Sequence, residues 1–286
     1  MEKIKIIVDS LSNITKEVAD KNDIGVFSFK LLLDDKTYND MVDIGREEFF
    51  DKLIEAKEAH TSIPSPEEFK TFIKDFIDQG YNKFLIYSTS SGISGMYQLM
   101  KINSQEIEED YGVEIEVIDT KIGHFAVVFA TLELKEMIDK AASFEEVKTR
   151  AYKNLEKMKV HLILRSLDYL IKGGRVPKAL AANSESEAMY PVITLEDGLL
   201  VLEKKDIGKA RSLRSFIGLI KEEAAMYDRY CLGITHGKDL KEFEKVKAQV
   251  QDEIDGAEIY LEDALSSSTA THLGPDSLVF TVYPLD

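Results

Sequence analysis

The sequence predicts an α/β protein of layered sheets and helices. Three observations carry this. Apolar runs of strand length recur along the chain, amphipathic helical patterns lie between most of them, and Glu196-Asp197-Gly198 separates two apolar stretches closely enough for a hairpin. Alternation of strand and helix implies largely parallel sheets, and the hairpin adds antiparallel pairing in the second half. The 286 residues suffice for one large or two medium domains. The expected boundary lies near Lys159, giving an N-terminal unit of residues 1–158 and a C-terminal unit of residues 159–286.

The elements follow in order. A strand is expected at Ile4–Val8, a second over Val26–Leu33, and a helix at Glu47–Ala59. The helix Pro66–Gln79 has a defined start: Ser65 reads as its N-cap, Pro66 as its first residue and Glu68 as the capping-box acid. Then come a strand at Phe84–Tyr87, a helix at Gly95–Glu109, a strand at Ile115–Ile118 and a helix at Phe144–Met158. The second half offers strands at His161–Leu164, Val192–Leu195, Leu199–Leu202, Cys231–Thr235, Glu258–Leu261 and Val279–Val282. Its helices are expected at Arg211–Met226 and Leu240–Ile254.

Composition narrows the function classes. Hydrophobic residues make up 44% of the chain, and no apolar run approaches the roughly 18 residues of a membrane span. The opening MEKIKIIVDS runs directly into a strand pattern rather than a signal peptide, so a cytoplasmic location is expected. The single cysteine, Cys231, excludes an internal disulfide or a cysteine-based zinc cluster and reads as core, and the scattered histidines lack metal-binding spacing. A net charge of −16 disfavours nucleic acid and anionic lipid surfaces. The basic stretch Lys204–Arg214 is interrupted by Asp206 and reads as a solvated face.

Four features could carry chemistry. The first is Ser88-Thr89-Ser90-Ser91-Gly92-Ile93-Ser94-Gly95, where a strand hands over to a helix. Open α/β sheets place ligands at such points, and the free N–H groups of a helix start favour an anion. Gly92 and Gly95 would allow close approach, and Ser91 or Ser94 would add a hydroxyl; helix capping accounts for the same residues without a ligand. No P-loop lysine is present, so a carboxylate or single phosphate fits better than a triphosphate. The second feature is His60-Thr61-Ser62-Ile63-Pro64-Ser65, in which capping explains Ser65 but not Thr61 or Ser62. In the third, Thr269–Pro275, His272 is either an ordinary loop residue or a hydrogen-bonding partner for a carboxylate. In the fourth, Gly173-Gly174 either ends a helix or forms a rigid turn displaying Lys172 and Arg175. Asp9 could act as an acid or base, although a cap of the following turn is the simpler reading.

Taken in order, these features resemble the DegV family, whose best-understood members are the fatty-acid-binding subunits of bacterial fatty acid kinase. The matching stretches are IKIIVDSLSNI, Tyr38-Asn39-Asp40 through EEFFDKL, TSIPSPEEF, SSGISGMYQ, VIDTK, LDYLIKGGR and HLGP, running from residue 4 to residue 275. The resemblance implies two α/β domains, the N-terminal one with a parallel sheet and the C-terminal one with a mixed sheet. It places a long-chain fatty acid between them in an apolar tunnel. Carried over, Thr61, Ser62, Ser94, Gly95 and His272 surround the carboxylate, and Arg175 faces a partner. The partner would be a separate ATP-dependent kinase subunit, so the chain would bind without catalysing and would need no cofactor or metal.

The chain departs from the family pattern at three places. Ala181–Tyr190 includes the polar Asn183–Glu187, where the family is usually apolar; His124, Phe125, Val127 and Val128 follow Asp119-Thr120, where it tends to small residues; and Lys204-Lys205-Asp206-Ile207 lacks an expected arginine. Bulk at Phe125 and Val128, with the polar segment, could shorten the tunnel; if Phe125 packs in the core and Ser186 and Glu187 face solvent, no shortening follows. A relative binding another carboxylate or lipid without a kinase, or an enzyme using Asp9 or His272, are the alternative functions.

Overall fold

The computed structural model describes residues 2–176, 190–206 and 208–286. Two principal sheets organise these residues. The first contains β1 (Ile4–Asp9), β2 (Gly25–Phe27), β6 (Lys83–Ser88) and β7 (Glu114–Asp119), all parallel, in the order β2-β1-β6-β7. The second contains β8 (His161–Ile163), β9 (Val192–Glu196), β10 (Leu199–Lys204), β11 (Tyr230–His236), β12 (Ile259–Ala264) and β13 (Leu278–Pro284). Its order is β10-β9-β8-β13-β11-β12, with only β11 and β12 parallel. The expected α/β class, with one parallel and one mixed sheet, is therefore present. Asp197 and Gly198 both have positive φ, as a tight hairpin turn requires.

The helices are α1 (Lys16–Lys21), α2 (Arg46–Glu55), α3 (Pro66–Asp78), α4 (Met96–Tyr111), α5 (Phe125–Asp139) and α6 (Phe144–Asn154), then α7 (Asp168–Gly173), α8 (Lys209–Ala224), α9 (Leu240–Gln249), α10 (Gln251–Gly256) and α11 (Ser267–Leu273). At α3 the Ser65 cap and the reciprocal Glu68 bond are both formed. Several expected elements differ. The run Val26–Leu33 is not one strand: after Phe27 the chain leaves the parallel sheet, and Lys30–Leu33 becomes β3 of a three-stranded antiparallel sheet with β4 (Lys36–Asn39) and β5 (Ala59–Ser62). The first long helix stops at Glu55, because Ala56 turns extended and leads into β5. The pattern over Leu240–Ile254 divides at Val250, whose φ of −117° leaves helical geometry. Thr269–Leu273, read as loop, belongs to α11.

The largest omission is α5. Its first seven residues, Phe125–Thr131, are all buried, so it lacks the polar face that gives a helix its periodic signature. It is buried because it packs between both sheets, touching β1 on one side and β11 and β13 on the other. One hydrophobic core consequently runs from Ile6 and Val8 through Phe125–Ala130 to Leu162, Val279 and Tyr283, crossing the boundary expected near Lys159. The outer faces have separate cores: α3 and α4 cover the parallel sheet, and α8 and α9 cover the mixed sheet.

Strand periodicity divides the mixed sheet between these cores. On β11, Cys231, Gly233 and Thr235 face α5, while Leu232 and Ile234 face α8. Gly233 is required here, since a Cβ would lie 2.5 Å from the Phe125 ring. Gly233→Ala should destabilise the fold by about 1–3 kcal/mol through overpacking. Phe125→Leu in the same chain should restore part of it, as read from denaturant midpoints.

On β8, His161 faces away from the shared core. Its Nδ1 lies 2.6 Å from Glu203 and its Nε2 2.9 Å from Glu223, with the ring stacked on Phe280. Burial alone would lower its pKa, but the hydrogen bonds to Glu203 and Glu223 raise it from 6.5 to about 9. Because the folded value lies above the unfolded one, this stabilisation is complete below about pH 6.5 and is lost as pH rises through about 9. The expected loss is on the order of 2–3 kcal/mol. Urea unfolding at pH 7 and pH 10 should show the decline in the wild type and a flatter dependence in His161→Gln.

Candidate functional site

The hydroxyl-rich loop between β6 and α4 is mostly committed to the scaffold. Thr89 donates to Asp9 through both its backbone N–H, at 2.6 Å, and its hydroxyl, at 2.8 Å. Asp9 also caps the turn at Ser10–Ser12 by accepting from Leu11 N–H at 3.1 Å. Burial lifts the Asp9 pKa to about 6 against these hydrogen bonds. Asp9 is thus enclosed as an anchor, in line with the simpler reading of it.

Ser90 and Ser91 tie the loop to its neighbours. Ser90 donates to Gly198 O at the β9–β10 hairpin, at 2.7 Å, and Ser91 donates to Asp119 at the end of β7. Gly92 fits because no side chain intervenes: a Cβ there would lie 2.4 Å from Gly198 O. Only the end of the loop is left for a ligand. Ser94 Oγ accepts from Met96 N–H at 3.1 Å, which leaves its own hydrogen available.

Ser94 forms part of the wall of a cavity between the mixed sheet and the segments that follow the strands of the parallel sheet, with about 700 Å³ of space not filled by atoms, open solvent at the mouth included. Leu162 and Val279, direct register partners on β8 and β13, and Leu195 and Leu200, partners on β9 and β10, supply much of its apolar lining. Leu11, Phe29, Ile93, Val160 and Leu170 add to it. Six polar side chains line it: Thr61 on β5, Ser94, His124 before α5, Arg175 beyond α7, and Thr269 and His272 on α11.

Thr61 Oγ1 and His272 Nε2 are hydrogen-bonded at 2.8 Å, although 211 positions separate them. Burial, with smaller contributions from the Arg175 and His60 charges, pushes the His272 pKa down to about 4. The imidazole is therefore neutral at pH 7. Its Nδ1 faces Gly173, where a Cβ would lie only 2.5 Å away. The paired glycines have distinct duties: Gly174, at φ +71°, ends α7, and Gly173 gives room to His272. Arg175 folds back, donating from Nε to Ile93 O at 3.3 Å and from Nη1 to Gly173 O. It is the one Lys or Arg on this wall among the described residues.

The remaining sequence candidates lie elsewhere. Ser62 is exposed on β5, paired with Lys30, and does not line the cavity; Gly95 is exposed at the start of α4 beside Ile63. Phe125 rests against Gly233 in the core, and neither it nor Val128 lines the cavity, which is the reading in which their bulk leaves the cavity unshortened. The polar segment Asn183–Glu187 lies outside the described residues. Cys231 is buried in the core, with its thiol pKa pushed up to about 12 by burial. Among the described residues, no group of three or more His, Cys, Asp or Glu could hold a metal ion, and no helix is long and apolar enough to cross a membrane. His124, read from the sequence only as bulk, lines the cavity.

Comparison with known proteins agrees with this architecture. A family model described as "Uncharacterised protein, DegV family" matches residues 3–285. A DegV domain-containing protein of Caldanaerobacter subterraneus is 30% identical over 280 residues, with 97% of each chain covered. A DegV family protein of Thermus thermophilus, described by its fatty acid binding, superposes with a TM-score of 0.88 at 23% identity, covering 99% of this chain and 100% of its own. A stearic-acid-binding protein of Eubacterium ventriosum gives 0.85 at 24% identity, with 98% of both chains covered.

The fit between Gly173 and His272 can be tested without a ligand. Gly173→Ala should displace the ring, break its bond to Thr61 and expose it. The His272 pKa should then rise from about 4 towards 6.5, as followed by NMR titration of the imidazole resonances.

Proposed function

The chain belongs to the DegV family, and on that premise we propose that it binds a long-chain fatty acid in the cavity beside its mixed sheet. The carrying observation is the meeting of Thr61, Ser94, His272 and Arg175 on a wall that is otherwise mainly aliphatic. Such a surface suits an amphiphile with one anionic end. The hydroxyls of Thr61 and Ser94 donate to the carboxylate, and the neutral His272 orients Thr61. Arg175 supplies the positive charge that His272 does not carry.

In this reading the chain is a binding subunit without its own catalytic centre. It presents the carboxylate to a separate ATP-dependent kinase, which forms the acyl phosphate. The family resemblance supports that partner, and the absence of arginine from Lys204-Lys205-Asp206-Ile207 favours a second reading in which the acid is carried without a kinase. The seat of Arg175 on the cavity wall favours a role towards the ligand over the partner contact expected from its place after the glycines.

Hydrogen bonds to a charged group are worth roughly 1.5–3 kcal/mol. Ser94→Ala should therefore weaken acid binding about tenfold or more. Arg175→Ala should weaken it as well. Native mass spectrometry of co-purified acid and competition binding provide the measurements. Full retention of lipid by Arg175→Ala, together with lost acyl-phosphate formation beside a kinase, would return this residue to partner recognition. Failure of the wild type to bind any long-chain acid would overturn the proposal.

A further inference from the structure

His272 reaches the cavity on a helix that belongs to one half of the chain and is received by the other. α11 follows β12 of the mixed sheet, yet it packs against α2, β3, β5 and the turn at Ser10–Ser12, as well as against α7. The connection from β12 into α11 therefore decides where His272 sits relative to Thr61. Ser266 is the N-cap of α11, its hydroxyl accepting from Thr269 N–H at 3.2 Å. Ser266 and His272 are six positions apart, about 9 Å along a helix axis.

Asn13, itself fully buried, holds this connection from the other half. Its Oδ1 accepts from Ser266 N–H at 2.6 Å and its Nδ2 donates to Ala264 O at 3.2 Å, across 253 and 251 positions. A donor on one side and an acceptor on the other fix the orientation of the amide. Arg46 reinforces the contact. Its Nη1 donates to the same Ala264 O at 2.7 Å and pairs with Asp263, while its Nη2 donates to Ile14 O at 2.9 Å and Asn13 O at 3.4 Å. Asp40 accepts from Ser268 N–H at 3.3 Å. Asn13 also has a φ of +64°, a left-handed backbone that asparagine tolerates and glycine would supply as readily. What asparagine adds is the amide, with its two bonds to the distant segment.

We infer that Asn13 is a positioning residue for the ligand site, its amide setting the cap of α11 and, through the helix, the seat of His272 beside Thr61. This rests on the proposed binding of a fatty acid at that site. Asn13 does not line the cavity, so it acts only through α11. Without the amide, Ser266 N–H loses its buried partner, while Ala264 O keeps only Arg46. The cap is then free to shift, and His272 has little room to follow, since it lies close against Gly173. A shift of about 1 Å takes the 2.8 Å contact between Thr61 and His272 out of hydrogen-bond range.

The test is Asn13→Gly in the full chain, which keeps the left-handed turn and removes the amide. His272 should titrate above its wild-type value of about 4, towards 6.5, in NMR spectra of the imidazole resonances. Octadecanoic acid should bind about tenfold more weakly, the scale of one hydrogen bond to a charged group. His161→Gln, which removes contacts to Glu203 and Glu223 away from the shared core, should lower stability but leave both readouts unchanged. Arg46→Lys, which keeps the charge and loses the fork, should move both readouts the same way by less, and it carries the test if Asn13→Gly does not fold. A folded Asn13→Gly whose His272 titrates as in the wild type overturns the inference. So does His161→Gln moving that titration as far, because general destabilisation then explains the effect. If the wild type binds no long-chain acid, the functional reading fails, and the placement of His272 by Asn13 still stands or falls by the titration.

Discussion

The structure depends on a helix whose first turns are almost wholly apolar and buried. The first turns of α5 are buried between a parallel and a mixed sheet, so one element supplies core to both. Close approach to β11 is possible because Gly233 leaves space for Phe125. His124 stands at the start of α5, at the transition from packed core to cavity wall. Fold stability and ligand space are thus set by the same layer.

The hydroxyl-rich loop shows how little of a polar segment need face a ligand. Thr89, Ser90 and Ser91 hold β1, the β9–β10 hairpin and β7 in place, and Ser94 alone of the loop's hydroxyls reaches the cavity wall. Asp9 illustrates the same economy: its pKa is pushed up to about 6 by burial, yet all its contacts are structural. The network fixes where Ser94 sits relative to Thr61 and His272, which arrive from other segments. Precise placement of a carboxylate would require such fixed supports.

Much of the architecture was legible because strands and surface helices leave regular signatures. β1, β6, β7 and the β9–β10 hairpin fall where the apolar runs put them, and the Ser65–Glu68 capping box forms as its residues suggest. The failures have physical causes. The first turns of α5 have no polar face to betray their period, and Val26–Leu33 reads as one strand-like run although it serves two sheets. In the site, Thr61, Ser94 and His272 were found through family resemblance, since their convergence from distant positions has no local signal. The inward turn of Arg175, the space under His272 and the cavity position of His124 all depend on tertiary contacts.

The contact between Gly92 and Gly198 limits how this chain can change over generations. A side chain at position 92 would strike Gly198 O, and one at position 198 would strike Ser90 Oγ at 2.6 Å. Gly198 also has a φ of +84°. The β6–α4 loop and the hairpin tip are therefore constrained as a matched pair, although 106 positions separate the two glycines. Recombination that joined the first half of one relative to the second half of another would succeed only when both parents had solved this meeting of two backbones in the same way. Drift at either loop is answerable to the other.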